Sequence, residues 1–571
     1  MFSLSFCRKI EQNGPMPELE ALFEIDTPAL RKARGAYFTP EGISRFISTW
    51  AIRCGDDRVM EPSAGDAAFM VAAVERLKNL ADNPDASPLI EGVEIHEHSA
   101  RIGHERVIVA GGTPDITVSD FFTVSPEPVY DAVIGNPPYI RYQDFSGTSR
   151  TIAAEAALRA GVRLSRLASS WAAFVIHSAL FLKPGGRLGL VLPAELMSVN
   201  YAAPVRQFLF DNFADIQLVL FDEQVFPDAE ADVVLLLADG YGQGPTGEAS
   251  VRLTKNAESL ASLSDEAVSW TPPTASGKWT GSLAGATALE ALQALSAQDA
   301  FVGLQTWGET TLGIVTGSNK YFALSPQRVI QVGLSHSDTL PLSPPGSAHL
   351  RGLALTTQQL QRLGQEGKST RLFYPKQPLS PAAAAYIQAG QDTGVDTAYK
   401  CRVRKVWYQV PLIPPADLLL TCMNADTPRL TTNEAKAHHL NSVHGVYLAE
   451  DHRELGCELL PLASVNSVTL LHAEIVGRAY GGGVLKLEPR EADVWLTPSP
   501  DLVAANAHAL RGVKDQVGTL LAAGQLLDAV QVVDDVLFHS SDGVALRYLD
   551  AVREARERMA HRRSARGASG R

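Results

Sequence analysis

The chain has 571 residues, a length that fits about three to four domains of ordinary size. Its formal net charge of −13 excludes a uniformly basic nucleic-acid coat, so any such contact must come from local basic windows. Five scattered cysteines (Cys7, Cys54, Cys401, Cys422, Cys457) exclude a disulfide framework or a spaced metal site, and apolar runs such as 171–182 are too short to span a bilayer. No metal, no membrane and no signal peptide are expected, and the compartment expected is a reducing cytoplasm.

In chain order, Arg34-Gly35-Ala36-Tyr37-Phe38-Thr39-Pro40 comes first, and residues 58–61 then form a short strand. The small-residue loop Pro62-Ser63-Ala64-Gly65-Asp66 leads into a helix running to about Leu80. Small side chains let a backbone approach a ligand closely. Glu61, at the strand end, can hold a cationic amino group directly or through water; an ordinary β–α turn would read the same way in isolation. Residues 90–95 are a second strand with Glu94 near its end, where a carboxylate can accept two hydrogen bonds from a ribose diol. Residues 116–122 are a third strand, with Asp120 placed to accept from an adenine amino group. These ends converge on one edge of a parallel sheet and describe a nucleotide-cofactor site.

The fourth strand, 130–135, ends abruptly in Asn136-Pro137-Pro138-Tyr139. Proline has no N–H for the ladder, so the strand stops there. The tetrapeptide therefore lies at the carboxyl end of the strand, where open α/β sheets bind ligands. The Asn136 side-chain oxygen and the Pro137 carbonyl can both accept from a planar amino group. That favours a pyramidal nitrogen whose lone pair faces an electrophile, and Tyr139 offers a ring face for stacking. The alternative is a turn that only ends a strand.

A helix follows over 169–182, broken by Lys183-Pro184-Gly185-Gly186, and then a strand over 187–193. Helix is predicted over 201–213, strand over 216–221 and strand over 232–238, the last two as an antiparallel edge pair. The sum is a seven-stranded, doubly wound Rossmann-like α/β domain over residues 1–240. Residues 241–295 are rich in Gly, Ser, Thr and Pro and read as a connector with a helix near its end. Residues 296–545 form a second, mixed α+β region, and 546–571 a basic tail read as disordered.

Basic islands stand out in the second half. Residues 351–410 carry nine Lys or Arg against three Asp or Glu, and 551–571 carry seven Arg against two Glu. Arg402, Arg404, Lys405, Trp407 and Tyr408 mix cations with aromatics, which suits phosphate tracking and base stacking, or equally a strand with solvated charges. His438, His439 and His444 lack an ordered partner set and read as a solvated surface.

Together these motifs resemble an S-adenosylmethionine-dependent DNA adenine-N6 methyltransferase of the gamma arrangement. The resemblance implies that Tyr37 and Thr39 contact the methionine end of the cofactor. It places Glu61, Pro62, Ala64 and Gly65 in the cofactor loop, with Glu94 on the ribose and Asp120, Phe121 and Phe174 around the adenine. It makes Asn136-Pro137-Pro138-Tyr139 the catalytic tetrapeptide and Val225-Phe226-Pro227 the loop whose Phe226 stacks on a flipped base. The family pattern has Gly where this chain has Ala67, whose methyl is expected to crowd the cofactor. The implied substrate is double-stranded DNA, held by the second region, with a restriction endonuclease or defence subunit as a separate partner. Two alternatives stand beside it: an amino-methyltransferase for a protein glutamine or an RNA base, and a catalytically inactive DNA-binding subunit.

Overall fold

The computed structural model describes residues 39–83, 85–223, 225–226, 233–263, 267–272, 274–297, 299–538 and 544–568. Tyr37 and Pro227 lie outside the described residues. The chain divides into two compact units, Met1–Val191 and Leu192–Arg571.

In the first unit, α1 (Glu41–Ala51) precedes β1 (Val59–Glu61), α2 (Ala68–Leu80), β2 (Leu89–Glu94), α3 (Glu97–Val109), β3 (Thr113–Val118) and β4 (Tyr130–Gly135). Then come α4 (Gly147–Leu158), α5 (Ser170–Ala179) and β5 (Leu182–Pro193). The strand order is β3-β2-β1-β4-β5, and the pairs are parallel. The chain winds outward from β1 to β3, then returns to lay β4 on the other side of β1. The strand order therefore reverses between β1 and β4, the point where such sheets open a crevice at their carboxyl ends. β4 is buried along its whole length, as are all ten residues of α5, consistent with a strand and helix inside a layered core.

The Lys183–Gly186 stretch is not the helix-ending loop expected. It lies within β5 as an irregularity: Tyr130 pairs with Leu182 but Ala132 pairs with Arg187. The extra residues bulge out, helped by Gly185 at φ 81°.

In the second unit, α6 (Ala203–Asn212) precedes β6 (Asp215–Phe221) and β7 (Val233–Asp239), which pair antiparallel as expected. β6 is not an edge strand, however. It also pairs, in parallel, with β8 (Ala249–Thr254), and β8 pairs antiparallel with β9 (Val268–Trp270). The stretch read as a connector thus supplies two strands and buries Trp270 and Trp279. The seven-strand expectation falls short because turn-forming residues surround β8 and conceal its buried–exposed alternation.

Beyond α7 (Ala286–Ala297), Gly308–Leu312, Val443–Leu448, Leu418–Thr421 and Leu430–Thr432 form an antiparallel sheet. It shares a core with α8 (Arg453–Ala463), α9 (Ser467–Val476), α10 (Ala507–Ala522) and α11 (Leu526–Phe538). A satellite core gathers around Tyr321, Phe322, Phe373 and Tyr386. The mixed α+β character expected after the first domain is present. The basic tail, by contrast, forms helix α12 (Val544–Ala568), with Val552, Ala555 and Met559 in the main core. Its Arg-rich composition masked this apolar stripe.

One further expectation is corrected. His438, His439 and His444 are buried, not solvated. The His444 imidazole lies 2.8 Å from the Leu487 carbonyl and the His438 imidazole 3.0 Å from that of Ile413; burial lowers the pKa of all three, that of His439 to about 4. Ala67 adopts a left-handed conformation, φ 63°, and is fully buried. A Cβ placed on Gly103 of α3 would lie 3.1 Å from its methyl, so the methyl occupies room that a glycine on the neighbouring helix leaves open. Left-handed backbone costs a non-glycine residue about 1–2 kcal/mol. Ala67→Gly should therefore stabilise the protein by up to about 1 kcal/mol. Gly103→Ala should destabilise the wild type more than it destabilises the Ala67→Gly variant, by about 0.5 kcal/mol or more in a double-mutant cycle of unfolding. Strictly additive effects would show that the two residues do not share this space.

Candidate active site

Each strand end at the switch point is braced by its own loop. At the end of β1, Glu61 is 3% exposed and its Oε2 accepts from the Met70 N–H of α2 at 3.2 Å. Burial, with Asp66 and Glu94 close by, raises its carboxyl pKa well above the usual carboxylate range. No cation of the chain makes a hydrogen-bonded ion pair with Glu61 among the described residues, so an amino group brought by a ligand would be well received there. Gly65 has a positive φ of 52° and open space where a Cβ would point, a cradle through which backbone can meet a ligand. Ala64 N–H donates to the Val93 carbonyl at 2.9 Å, tying the loop to β2.

Glu94 uses its carboxylate to organise the same loop. One oxygen accepts from Gly65 N–H and the other from His96 N–H, both at 2.8 Å. Asp120 caps a short turn by accepting from Phe122 N–H at 3.0 Å. The aromatic wall after β3 is dense: Phe121 stacks on Phe174 at 5.3 Å, and Phe122 meets Phe174 edge-on at 4.6 Å. His177 completes it. Its Nε2 lies 3.2 Å and 3.1 Å from the Phe121 and Val124 carbonyls, which fixes the proton on that nitrogen, and burial lowers its pKa to about 4. It stays neutral at ordinary pH.

At the end of β4, Gly135 backs onto β1: a Cβ there would lie 3.6 Å from Glu61 Cγ. The Asn136 amide donates to Thr39 Oγ1 at 3.2 Å, and its Oδ1 lies 2.7 Å from the Tyr139 hydroxyl. That hydroxyl is also 3.0 Å from the Val191 carbonyl at the end of β5. The Asn136 side chain is therefore held from both sides, and its oxygen, with two lone pairs, retains room for a second donor. Pro137 is buried, while Asn136, Pro138 and Tyr139 are half-buried.

Ser170 was missed in the sequence. Its hydroxyl donates to the Pro138 carbonyl and accepts from Ile140 N–H at 2.9 Å, while its own N–H donates to the Ile140 carbonyl at 3.1 Å. The first turn of α5 thus clamps the tetrapeptide loop. The only sequence signal was a serine pair at a helix start. Ser63, whose hydroxyl donates to the Asn136 carbonyl at 3.3 Å, joins the loops of β1 and β4.

The remaining expected residues lie in the second unit. Phe226 follows β6 and is 5% exposed. In the basic–aromatic cluster, Arg402 and Lys405 are exposed, but Arg404 is turned inward. Its guanidinium donates to the Val315 and Thr316 carbonyls, each at 2.7 Å, and lies over the Phe322 ring at 5.7 Å. Trp407 packs on Tyr321 at 5.5 Å, and Tyr408 accepts from Gln377 at 3.3 Å. Arg404 and Trp407, both half-buried, thus support the fold; the segment is a short helix and turn, not a strand.

The comparisons with known proteins agree with this geometry. The N-6 DNA Methylase family matches residues 19–243, and the C-terminal domain of type II methyltransferase M.Eco57I matches residues 276–538. Over residues 19–243 the chain is similar to the N6-adenine DNA methyltransferases. Type II methyltransferase M.XamI of Xanthomonas campestris pv. amaranthicola is 26% identical over 495 residues, 83% of this chain and 86% of the relative. Type II methyltransferase M.AccI of Acinetobacter calcoaceticus is 23% identical over 475 residues, 81% and 84% of the two chains. The fold resembles that of the type IIL restriction-modification enzyme MmeI, solved in complex with DNA, with TM-score 0.57 and 11% identity over 91% of this chain and 75% of that one.

The buried Glu61 gives a pH signature. Because its folded pKa is raised, the folded state holds a proton that the unfolded chain releases. Stability contributed at this site is therefore lost as pH rises from the ordinary Glu range through the raised value. Glu61→Gln removes that dependence. Its thermal midpoint, measured without cofactor, should exceed the wild type's by more at pH 8 than at pH 5. An equal difference at both would show that Glu61 titrates normally.

Proposed function

We propose that this protein is a site-specific DNA adenine-N6 methyltransferase of the gamma arrangement, acting in a restriction–modification or phage-defence setting. The observation that carries the reading is Asn136, fixed between Thr39 and Tyr139 at the switch point, beside the buried carboxyl of Glu61. S-adenosylmethionine fits the residues present and, when bound, supplies an electrophilic methyl on a sulfonium. Glu61 would hold its amino group, the backbone at Ala64 and Gly65 would pass close to it, and Glu94 would accept from its ribose. Asp120, with the Phe121–Phe174 wall, would receive its adenine.

The target adenine must leave the duplex, because its N6 is out of reach inside the stack. Tyr139 would stack on a face of the extruded base, and Phe226 is the stacking residue that the family resemblance assigns to the loop after β6. Asn136 Oδ1 and the Pro137 carbonyl would accept both hydrogens of the exocyclic amine. That draws the nitrogen lone pair out of the ring and leaves it free to attack. As the new N–C bond formed, the methyl–sulfur bond would break to leave a neutral thioether and the amine would lose one proton to water, so no strongly basic side chain is needed. Position and orientation account for most of the acceleration. Residues 296–545 would bind and read the duplex, with any endonuclease supplied by a partner. The match of residues 19–243 to the N-6 DNA Methylase family supports adenine over a protein glutamine or an RNA base as the substrate.

Expression in a methylation-free host, followed by single-molecule sequencing, should reveal methyladenine at one recurring motif; no such motif would reject the reading. Asn136→Ala should retain cofactor affinity but lose at least about tenfold in turnover, or ~1.4 kcal/mol. A smaller loss would free Asn136 of its role.

The two exposed cations separate from the inward one. Replacing Arg402 and Lys405 by Ala should leave the melting temperature unchanged and, if both meet phosphates, reduce the log–log salt slope of duplex binding by about two. Arg404→Ala should instead destabilise the protein by about 1–3 kcal/mol, because it strips buried carbonyls of their donors. Filter binding at several salt concentrations and thermal melts distinguish the two. An unchanged slope in the double variant would remove Arg402 and Lys405 from the DNA surface.

A further inference from the structure

Helix α12 carries two adjacent arginines that lie inside the protein: Arg562 is 8% and Arg563 5% exposed. A guanidinium is costly to bury unless its donors are satisfied. Arg563 meets that demand with a two-pronged pair to the Glu474 carboxylate of α9, at 2.8 Å and 3.0 Å. It also donates to the carbonyls of Ala425 at 3.1 Å, Asp426 at 2.7 Å, and Gly483. Those carbonyls belong to two turns, beside the paired strands Met423–Asn424 and Val484–Lys486. Arg562, one residue earlier, donates to the carbonyl of Phe221 at 3.1 Å. Phe221 is the last residue of β6, and Phe226 follows five residues later.

One helical step therefore separates the anchor of the Phe226 loop from the anchor of two turns in the proposed recognition region. A helix rises about 1.5 Å per residue and does not stretch, so the two anchors are held at a fixed offset. The carbonyl at a strand end sets the direction in which the chain leaves, and here it is gripped by a buried cation.

We propose that α12 is a strut that sets the Phe226 loop against the 425–426 and 481–483 turns, and that Arg562 is a positioning residue for base capture. Duplex engagement by the recognition region is thereby coupled to the placement of Phe226 on the extruded adenine. This rests on the reading of Phe226 as the base-stacking residue. A displacement of about 1 Å far from the chemistry can cost roughly a hundredfold in rate, so a loosened strand end is enough to matter.

The test uses the full chain and a duplex carrying its methylated motif, with 2-aminopurine in place of the target adenine for the fluorescence measurement. Arg562→Met should lower kcat about tenfold or more while KM for the duplex and cofactor affinity stay within about twofold. The 2-aminopurine signal should fall in parallel. Arg562→Lys, which keeps a cation able to reach one carbonyl, should regain part of the loss. In a Phe226→Ala background, either substitution should cost little more, since the group it positions is gone. Should the Met variant not fold, the Lys variant carries the same comparison with Phe226→Ala. Losses that add fully to Phe226→Ala, losses confined to KM, or turnover within about twofold of wild type would overturn the strut. Full turnover and signal in Phe226→Ala alone would instead overturn the base-stacking reading.

Discussion

The site depends on one topological constraint, the reversal of strand order between β1 and β4. Because the chain winds outward through β2 and β3 before returning, two strand ends far apart in sequence meet side by side, and no helix connection crosses the gap between them. Glu61 and Asn136 sit on those two ends. A buried carboxyl without a hydrogen-bonded cation is unfavourable in the protein alone, and its raised pKa records that cost. The fold thus places a buried carboxyl beside an amide whose oxygen can accept from a further donor.

Around that pair, the loops are held by hydrogen bonds that leave the reactive atoms available. Ser170 secures the carbonyl of Pro138 and both polar groups of Ile140, Thr39 takes the donor of Asn136, and Glu94 supports the backbone of Gly65. The Ser170 and Thr39 supports use groups that the proposed chemistry does not need, whereas the Glu94 carboxylate would serve both the loop and the ribose. Asn136 makes the point clearly. Its amide nitrogen is tied to Thr39, so the oxygen is oriented outward without relying on the substrate to choose between the two nearly identical ends of the side chain.

Much of the first unit was legible because strand-end chemistry is local. Glu61, Glu94, Asp120 and Asn136 each follow a short apolar run, and the four runs fall close to the observed strands. What escaped was information carried between segments. Ser170 matters through a loop some thirty residues earlier, the Ala67 methyl is accommodated by Gly103, and β8 is recognisable only through its pairing with β6. Composition misled in a consistent direction: polar residues were read as solvent-facing. His439, Arg404 and Arg563 are all placed inward, each for a different reason. The first is neutral, the second is satisfied by carbonyls, and the third is paired with a carboxylate.

That pattern bears on the proposal that the second unit binds DNA although the chain is acidic. Counting cations in a window overstates the basic surface, because several belong to the interior. In the 551–571 window, Arg562 donates to the Phe221 carbonyl and Arg563 pairs with Glu474. Such arginines cannot release counterions from a phosphate backbone, since they never meet it. The cations left for long-range attraction are fewer and more exposed, Arg402 and Lys405 among them. A small exposed set on a negatively charged protein makes binding dependent on where those few charges sit, and weakens attraction to DNA wherever they do not fit. Buried arginines then serve the same end from inside, by fixing the turns and strand ends on which sequence discrimination would depend.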